Sequence, residues 1–220
     1  MKVIIPLQTC STRVPEKNIR NFFNGESLFD IKIKQLLKVF EPKDIYVSSE
    51  SNLVKSLCEK KGVNFIHREA EFTGNLVKQP DLIGAILKKI PSDNDDIMWV
   101  QVTSPLFNEF QRGIEEWEKI KHLHDSLVAV KEFKGHVLDN YARPINYSFG
   151  HWHSVSQSLP EWYTVLWSMF ILKRSAIEEY KYHIGVNPYL FVTECKTIDI
   201  DTMDDFELAS FYYEKLINNS

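Results

Sequence analysis

The sequence has 220 residues, of which 44% are hydrophobic and 25% charged, which suits one sizeable α/β domain. Its formal net charge of −4 gives no reason to expect nucleic acid or an anionic membrane as a partner. No apolar stretch approaches the ~18 residues of a membrane span, and the run before Pro6 is too brief for a signal peptide. The three cysteines fit neither a disulfide framework nor a metal site, so a cytoplasmic protein is expected.

Strand and helix patterns alternate along the first half of the chain. Apolar, β-branched runs predict strands over residues 2–7, 44–49, 63–66 and 97–102, and helical apolar spacing predicts helices over residues 28–40, 52–61, 81–90 and 110–121. A helix between successive strands is typical of a parallel sheet. We therefore expect a three-layer α/β fold, in which a mostly parallel sheet forms a Rossmann-like nucleotide-binding half.

The second half of the chain is less regular. Strands are predicted over residues 125–130, 163–172 and 189–192, and helices over residues 175–180 and 204–217. Residues 131–160 are rich in His, Trp, Tyr, Asn and Pro and predict a hairpin or lid. Because no repeat or linker is visible, we expect one domain over residues 1–220, with residues 131–167 as an inserted arm. Aromatic residues there are typical of a core or a subunit interface.

The loops that follow the predicted strands are the candidate site, because ligands of open α/β sheets bind at the carboxyl ends of the strands. The first loop, residues 8–18, carries Arg13 and Lys17 among small hydroxyl residues. Cations and backbone N–H groups in one loop suit a polyphosphate. The alternative is an ordinary surface loop with solvated cations.

Two carboxylates near the end of the chain, Asp199 and Asp201, are spaced i and i+2. In an extended segment they project from the same side, where a divalent cation relieves their repulsion. The alternative is that Asp201 or Thr202 caps the last helix, and both interpretations can hold together.

The turn at residues 101–105 has the sequence Gln-Val-Thr-Ser-Pro and follows a predicted buried strand. Its amide and hydroxyls could contact a nucleotide base, although turn chemistry alone also explains them. The seven histidines lack a Cys/His framework, so no zinc site is expected.

Several of these segments together resemble the cytidylyltransferases that make CMP-activated acidic sugars, chiefly the acylneuraminate enzymes and the related Kdo enzymes. Residues 11–18, Ser-Thr-Arg-Val-Pro-Glu-Lys-Asn, are similar to the nucleotide-binding signature of that family. Residues 45–49 and 67–71 are similar to its second strand and to its Arg-Pro-x-x-Leu segment. Residues 101–106 resemble its Gln-x-Thr-Ser-Pro-Leu turn, and residues 198–206 its Ile-Asp-Ile-Asp-Thr-x-x-Asp motif.

The resemblance implies transfer of CMP from CTP to a small anionic acceptor, with release of pyrophosphate. It implies nucleotide contacts from Leu7, Gln8, Ser11, Asn18, Gln101, Thr103 and Ser104, catalytic roles for Arg13, Lys17 and Asp201, and Mg²⁺ on Asp199 and Asp201. A homodimer formed through the arm is also implied. The candidates for the anionic acceptor are Arg143, His151, His153 and Gln157.

The sequence departs from that family at two places. Where the family has Ala-Arg-Gly-Gly-Ser-Lys, residues 7–12 read Leu-Gln-Thr-Cys-Ser-Thr, so the arginine, both glycines and the cation at Thr12 are absent. Where sialic-acid enzymes have Asn-Gly, this chain has Leu166 and Trp167. A modified nonulosonic acid, another 2-keto sugar acid, or a phosphate or phosphonate acceptor therefore remains open. Two further alternatives also remain open. The nucleotide could carry a different base, or the chain could be a paralogue that binds a nucleotide without catalysing turnover.

Overall fold

The computed structural model describes residues 1–11, 13–74, 76–91 and 96–218. Thr12 lies outside the described residues. The strands are β1 (Lys2–Pro6), β2 (Asn21–Phe23), β3 (Glu26–Ser27), β4 (Ile45–Ser49), β5 (Asn64–His67), β6 (Ile97–Val100), β7 (Ser126–Phe133), β8 (Trp162–Leu172) and β9 (Pro188–Val192). The α-helices are α1 (Leu28–Leu36), α2 (Asn52–Lys61), α3 (Gln79–Leu87), α4 (Phe110–Ile120), α5 (Arg174–Tyr180) and α6 (Met203–Asn218).

Seven strands form one central sheet in the order β5-β4-β1-β6-β8-β7-β9. The pairs β5–β4, β4–β1, β1–β6 and β7–β9 are parallel, and β8 is antiparallel to both of its neighbours. One apolar core packs α1, α2, α4 and α6 against one face, and a second core packs α3 and α5 against the other. The predicted three-layer, mostly parallel α/β fold is confirmed.

Local sequence accounts for the ends of several helices. The Ser27 hydroxyl accepts a hydrogen bond from the Asp30 N–H, and the Asp30 carboxylate accepts one from the Ser27 N–H, which forms a capping box at α1. Helix α2 ends at Gly62, whose φ of 72° lies in the left-handed region that glycine adopts without strain. The predicted helix over residues 52–61 is confirmed. Helix α1 ends four residues earlier than the predicted 28–40 segment and continues as turns.

A short antiparallel pair, β2 and β3, precedes α1 and was not predicted. Strands of two or three residues are too short to show an alternating pattern. Strand β7 is longer than predicted and pairs with β8 from Ser126–Leu172 out to Phe133–Trp162. The ends of the predicted 131–167 arm therefore belong to these two strands.

Residues 134–161 connect β7 to β8. They contain an isolated bridge between Leu138 and Pro144 and two short 3-10 turns, Gly150–Trp152 and Ser156–Ser158. Within the described chain, no helix is long and apolar enough to cross a membrane.

Candidate active site

A cleft of about 670 Å³ opens where β1 and β6 end. Seven of the residues predicted to form the site line it: Gln8, Ser11, Arg13, Lys17, Asn18, Gln101 and Thr103. The other lining residues are Pro6, Cys10, Arg68, Phe72, Gly74, Val77, Gln79 and Leu82. The parallel strands bring the first loop and the turn after β6 together, as expected for a doubly wound sheet.

Hydrogen bonds at both ends hold the first loop. At its start, the buried Leu7 donates its N–H to the Ser48 carbonyl at 2.9 Å. At its end, the Asn18 side-chain amide donates to the Gln8 carbonyl at 3.0 Å, and the Asn18 carbonyl accepts from the Phe29 N–H of α1 at 3.0 Å. The loop is therefore tied to β4 on one side and to α1 on the other.

Glu50, directly after β4, binds the first loop near its start. Its Oε1 accepts from the Thr9 N–H at 2.8 Å and from the Thr9 hydroxyl at 2.7 Å. Burial alone would raise the pKa of Glu50, but hydrogen bonds from Thr9 and Arg68 outweigh it and lower that pKa. Thr9 was compared above with a glycine of the family that the sequence resembles, and its N–H donates to this carboxylate.

Arg68, which was not predicted as a site residue from the sequence, is buried in the wall of the cleft. Its guanidinium donates to the Leu7 carbonyl and to Glu50 Oε2, the latter at 3.1 Å. Arg68 Nε and Asn18 Oδ1 are buried without a hydrogen-bond partner among the described residues. The signal that could have found Arg68 is its place directly after β5, in the segment compared with the family's Arg-Pro motif.

Three charged side chains meet at the rim of the cleft. Arg13 Nη2 lies 2.7 Å from Asp201 Oδ1, and Lys17 Nζ lies 3.9 Å from the same oxygen. Lys17 also donates to the Ile200 carbonyl. Burial lowers the pKa of Lys17 although Asp201 and Asp199 act to raise it. Arg13 and Lys17, which line the cleft, are thus both paired with Asp201.

Asp199 and Asp201 are both exposed, while Ile200 between them is fully buried. The side chains alternate as predicted for an extended segment, although residues 197–201 form no ladder. The Ile200 N–H donates to the Thr103 carbonyl at 3.0 Å and joins this segment to the turn after β6. Although Asp199 is exposed, the surrounding protein partly desolvates its carboxylate. This desolvation raises the pKa of Asp199, and the negative charge of Asp201 raises it further.

These two carboxylates fit the oxygen ligands that Mg²⁺ prefers, and their mutual repulsion is the kind that a divalent cation relieves. Among the described residues, no group of three or more His, Cys, Asp or Glu side chains could hold a metal ion by itself. A Mg²⁺ ion here would need ligands from a bound substrate or from water as well.

Helix α6 begins with its own cap. The Thr202 hydroxyl accepts from the Asp205 N–H at 3.2 Å, and the Asp205 carboxylate accepts from the Thr202 N–H at 2.8 Å. Of the two cap residues left open by the sequence, the structure has Thr202. Asp201 is therefore not the cap and contacts the first loop instead.

The other predicted residues lie outside the cleft lining. Leu7 and Ser104 are buried beneath it, and their carbonyls accept from Arg68 and Lys32 respectively. The four acceptor candidates, Arg143, His151, His153 and Gln157, are exposed in the segment between β7 and β8. Arg143 pairs there with Asp139 at 2.7 Å, and none of the four candidates lines the cleft.

Comparison with known proteins fits this geometry. The sequence model of a family described as cytidylyltransferase matches residues 2–136, which is more than half of the chain. The chain belongs to the cytidylyltransferase family. Members of this family are CTP-dependent nucleotidyltransferases, and the matched region includes the first loop, Arg68 and the turn after β6.

Curated relatives of this cytidylyltransferase-family chain include an N-acylneuraminate cytidylyltransferase of Streptococcus agalactiae, 25% identical over 213 residues. That match covers 92% of this chain and 51% of the relative, so the chain spans about half of the relative's length. A CMP:2-keto-3-deoxy-manno-octonic acid synthetase solved with CTP has the same fold, with a TM-score of 0.68, 11% identity and coverage of 97% and 98% of the two chains. A 4-diphosphocytidyl-2C-methyl-D-erythritol synthase from Anaerococcus prevotii superposes with a TM-score of 0.69, 12% identity and the same coverage.

Proposed function

We propose that this chain transfers CMP from CTP to a small acidic sugar or a similar anionic acceptor and releases pyrophosphate. The observation that carries the proposal is the cleft lined by Arg13 and Lys17, both of which pair with Asp201. Orphaned polar atoms of Arg68 and Asn18 in the same walls support a polar ligand there.

In the proposed reaction, an acceptor oxygen attacks the α-phosphorus of CTP, and the bond from that phosphorus to the β-phosphate oxygen breaks. Ser11, Arg13, Lys17 and Asn18 bind the triphosphate, and the two cations neutralise charge that moves onto the pyrophosphate. Gln101 and Thr103 hold the nucleoside. Little covalent chemistry is required of the protein, so positioning and charge neutralisation provide most of the barrier lowering.

We propose that Asp199 and Asp201 hold Mg²⁺. When bound, the ion neutralises phosphate charge and orients the phosphates. Without it, Arg13 and Lys17 pair with Asp201, so metal binding would free both cations for phosphate. The raised pKa of Asp199 supports this role, because a carboxylate desolvated beside another one gains from a cation.

An acidic acceptor is supported by the curated relatives, whose names specify N-acylneuraminate. Leu166 and Trp167 lie in β8, at the two positions compared above with Asn-Gly of sialic-acid enzymes, and Trp167 is exposed. The absence of Asn-Gly at these positions favours an acceptor that differs from N-acylneuraminate itself, such as a modified nonulosonic acid or another 2-keto sugar acid.

We also propose a homodimer formed through the segment between β7 and β8. Large apolar side chains are exposed there, among them Tyr141, Phe149, Trp152 and Val155.

A cytoplasmic location is supported by the cysteines, all of which are free thiols.

Titration calorimetry with CTP, with and without Mg²⁺, tests the proposal on the wild type, Asp201→Ala and Asp204→Ala. Asp204 is a matched control, because it is an exposed aspartate of the same segment. Metal-dependent binding that weakens at least tenfold in Asp201→Ala, with Asp204→Ala unchanged, is the expected result (about 1.4 kcal/mol).

Pyrophosphate release with a panel of 2-keto sugar acids and phosphate acceptors then tests turnover. CTP binding without turnover on any acceptor would favour the nucleotide-binding paralogue. The observation that supports this alternative is that the Thr9 N–H donates to Glu50 and is not free to bind a phosphate. Tighter binding of another nucleoside triphosphate would instead identify a different base. Failure to bind any of the four nucleoside triphosphates would contradict the proposed function.

A further inference from the structure

A lysine lies in the apolar inner face of α1, where the sequence offers no reason to expect a charge. Lys32 is fully buried, next to Phe29 and Ile33, which are also fully buried. Its Nζ donates to the carbonyls of Ser104 and Phe107, each at 2.9 Å, and lies 5.0 Å from the centroid of the Phe110 ring. All three partners belong to the turn after β6 or to the start of α4.

Burying an ammonium group without a carboxylate partner is costly. None of the ion pairs among the described residues includes Lys32, and burial lowers its pKa to about 7. A hydrophobic side chain would fill the same space at lower cost. The lysine is therefore explained by the two carbonyl oxygens that it satisfies, which an apolar residue would leave without this donor.

Helix α1 makes further contacts with both walls of the cleft. At its amino end, the Phe29 N–H donates to the Asn18 carbonyl of the first loop at 3.0 Å. One turn after Lys32, Gln35 Nε2 donates to the Pro105 carbonyl at 2.7 Å. The helix thus joins the loop that ends with Lys17 and Asn18 to the turn that carries Gln101 and Thr103.

We propose that Lys32 is a positioning residue of the nucleotide site, which fixes the turn carrying Gln101 and Thr103 at a set distance from the first loop. This inference rests on the proposed function, because it assigns Lys32 an effect on CTP. Lys32 itself does not line the cleft and acts through the backbone of residues 104–107.

The effect should appear in nucleotide affinity and in the choice of base. Contacts to the nucleoside are made in both the ground state and the transition state, so their loss raises KM and leaves kcat nearly unchanged. Gln101 placed wrongly against the base would also lower the preference for CTP over UTP. A residue that only stabilises the fold would lower the active fraction, and thus the apparent kcat, without changing KM or base preference.

The experiment compares Lys32→Met with Lys34→Met, which removes an exposed lysine from the same helix. Circular dichroism verifies folding, and calorimetry and steady-state kinetics give the Kd and KM for CTP and UTP. We expect Lys32→Met to raise both constants for CTP roughly tenfold, to reduce the preference for CTP over UTP, and to change kcat less than about threefold. Lys34→Met should match the wild type.

Unchanged CTP constants in a folded Lys32→Met variant overturn the inference, and so does a fall in kcat alone. If that variant does not fold, Gln35→Leu removes one bond to the same turn and should raise the KM for CTP roughly threefold; an unchanged KM then overturns the inference. A wild type that does not bind CTP refutes the proposed function itself, and the inference falls with it.

Discussion

His183 gives this protein a stability that should depend on pH over a defined range. Its side chain is 1% exposed and is packed between Trp99, Phe170 and Trp167, with ring centroids 6.0, 4.3 and 5.3 Å away. Neither ring nitrogen has a hydrogen-bond partner among the described residues. Burial lowers the pKa of His183 to about 4, from an ordinary value of 6.5.

The sign of the effect follows from where the proton binds. Between pH 6.5 and about 4, the unfolded chain protonates this histidine while the folded chain does not. The contribution of His183 therefore lowers the free energy of unfolding as the pH is lowered through this range, and His183 contributes no pH dependence above it. At about 1.4 kcal/mol for each tenfold difference in proton affinity, the full loss is about 3 kcal/mol.

His183→Phe removes both unpartnered nitrogens and keeps an aromatic ring among aromatic neighbours. We expect the variant to be at least as stable as the wild type at pH 7, because no polar atom is left unsatisfied there. Between pH 6.5 and 4 it should lose about 3 kcal/mol less than the wild type. His122→Phe, at an exposed histidine, should keep the pH dependence of the wild type.

Equilibrium unfolding in urea, followed by tryptophan fluorescence at several pH values from 7 to 4, measures these differences. Carboxylates titrate in all three proteins, so only the difference between curves reports His183. A His183→Phe variant that is destabilised at pH 7 and remains as sensitive to acid as the wild type would refute the reasoning. That result would mean that the ring nitrogens are hydrogen-bonded in the folded protein.

Three further predictions follow from single contacts. Thr202→Ala should lower the free energy of unfolding by about 1 kcal/mol through loss of the α6 cap, and a similar loss in Asp201→Ala instead would show that the cap is misassigned. Glu50→Gln should cost about 2 kcal/mol in urea unfolding at pH 7, since it leaves the buried Arg68 without its carboxylate, and Glu59→Gln at an exposed site should cost nothing measurable. Because Glu50 has a lowered pKa, its contribution is present above its ordinary pKa and is lost as the pH falls through the folded value, so wild type and variant should converge in acid. Trp152→Ser should shift a dimer toward monomer in sedimentation velocity, while Leu53→Ser should not; a monomeric wild type at micromolar concentration would remove the dimer proposal.

Much of the fold could be predicted from local patterns. The apolar runs at β1, β4 and β6 are nearly continuous because these strands are buried on both faces, and such runs are visible without any knowledge of their neighbours. The position of β8 could not be predicted in this way. Its antiparallel place between β6 and β7 depends on contacts between residues far apart in sequence, such as Trp99 with Phe170.

The sequence predicted those residues of the candidate site that lie in one loop or directly follow a strand. Arg13, Lys17, Gln101 and Thr103 fall into one cleft because parallel strands end at one edge of the sheet. The pairing of Arg68 with Glu50 was not predicted, since the two residues follow different strands and nothing in the spacing links them.

The sequence by itself determined the alternation of strands and helices, the family motifs and the two charged segments of the cleft, because each depends on residues close together in the chain. Only the tertiary structure decided that Thr9 donates to Glu50, that Thr202 rather than Asp201 caps α6, and that Lys32 is buried. Of these, Lys32 shows the reason most plainly. A lysine in a helix ordinarily faces solvent, and its burial here depends on two carbonyl groups more than seventy residues further along the chain.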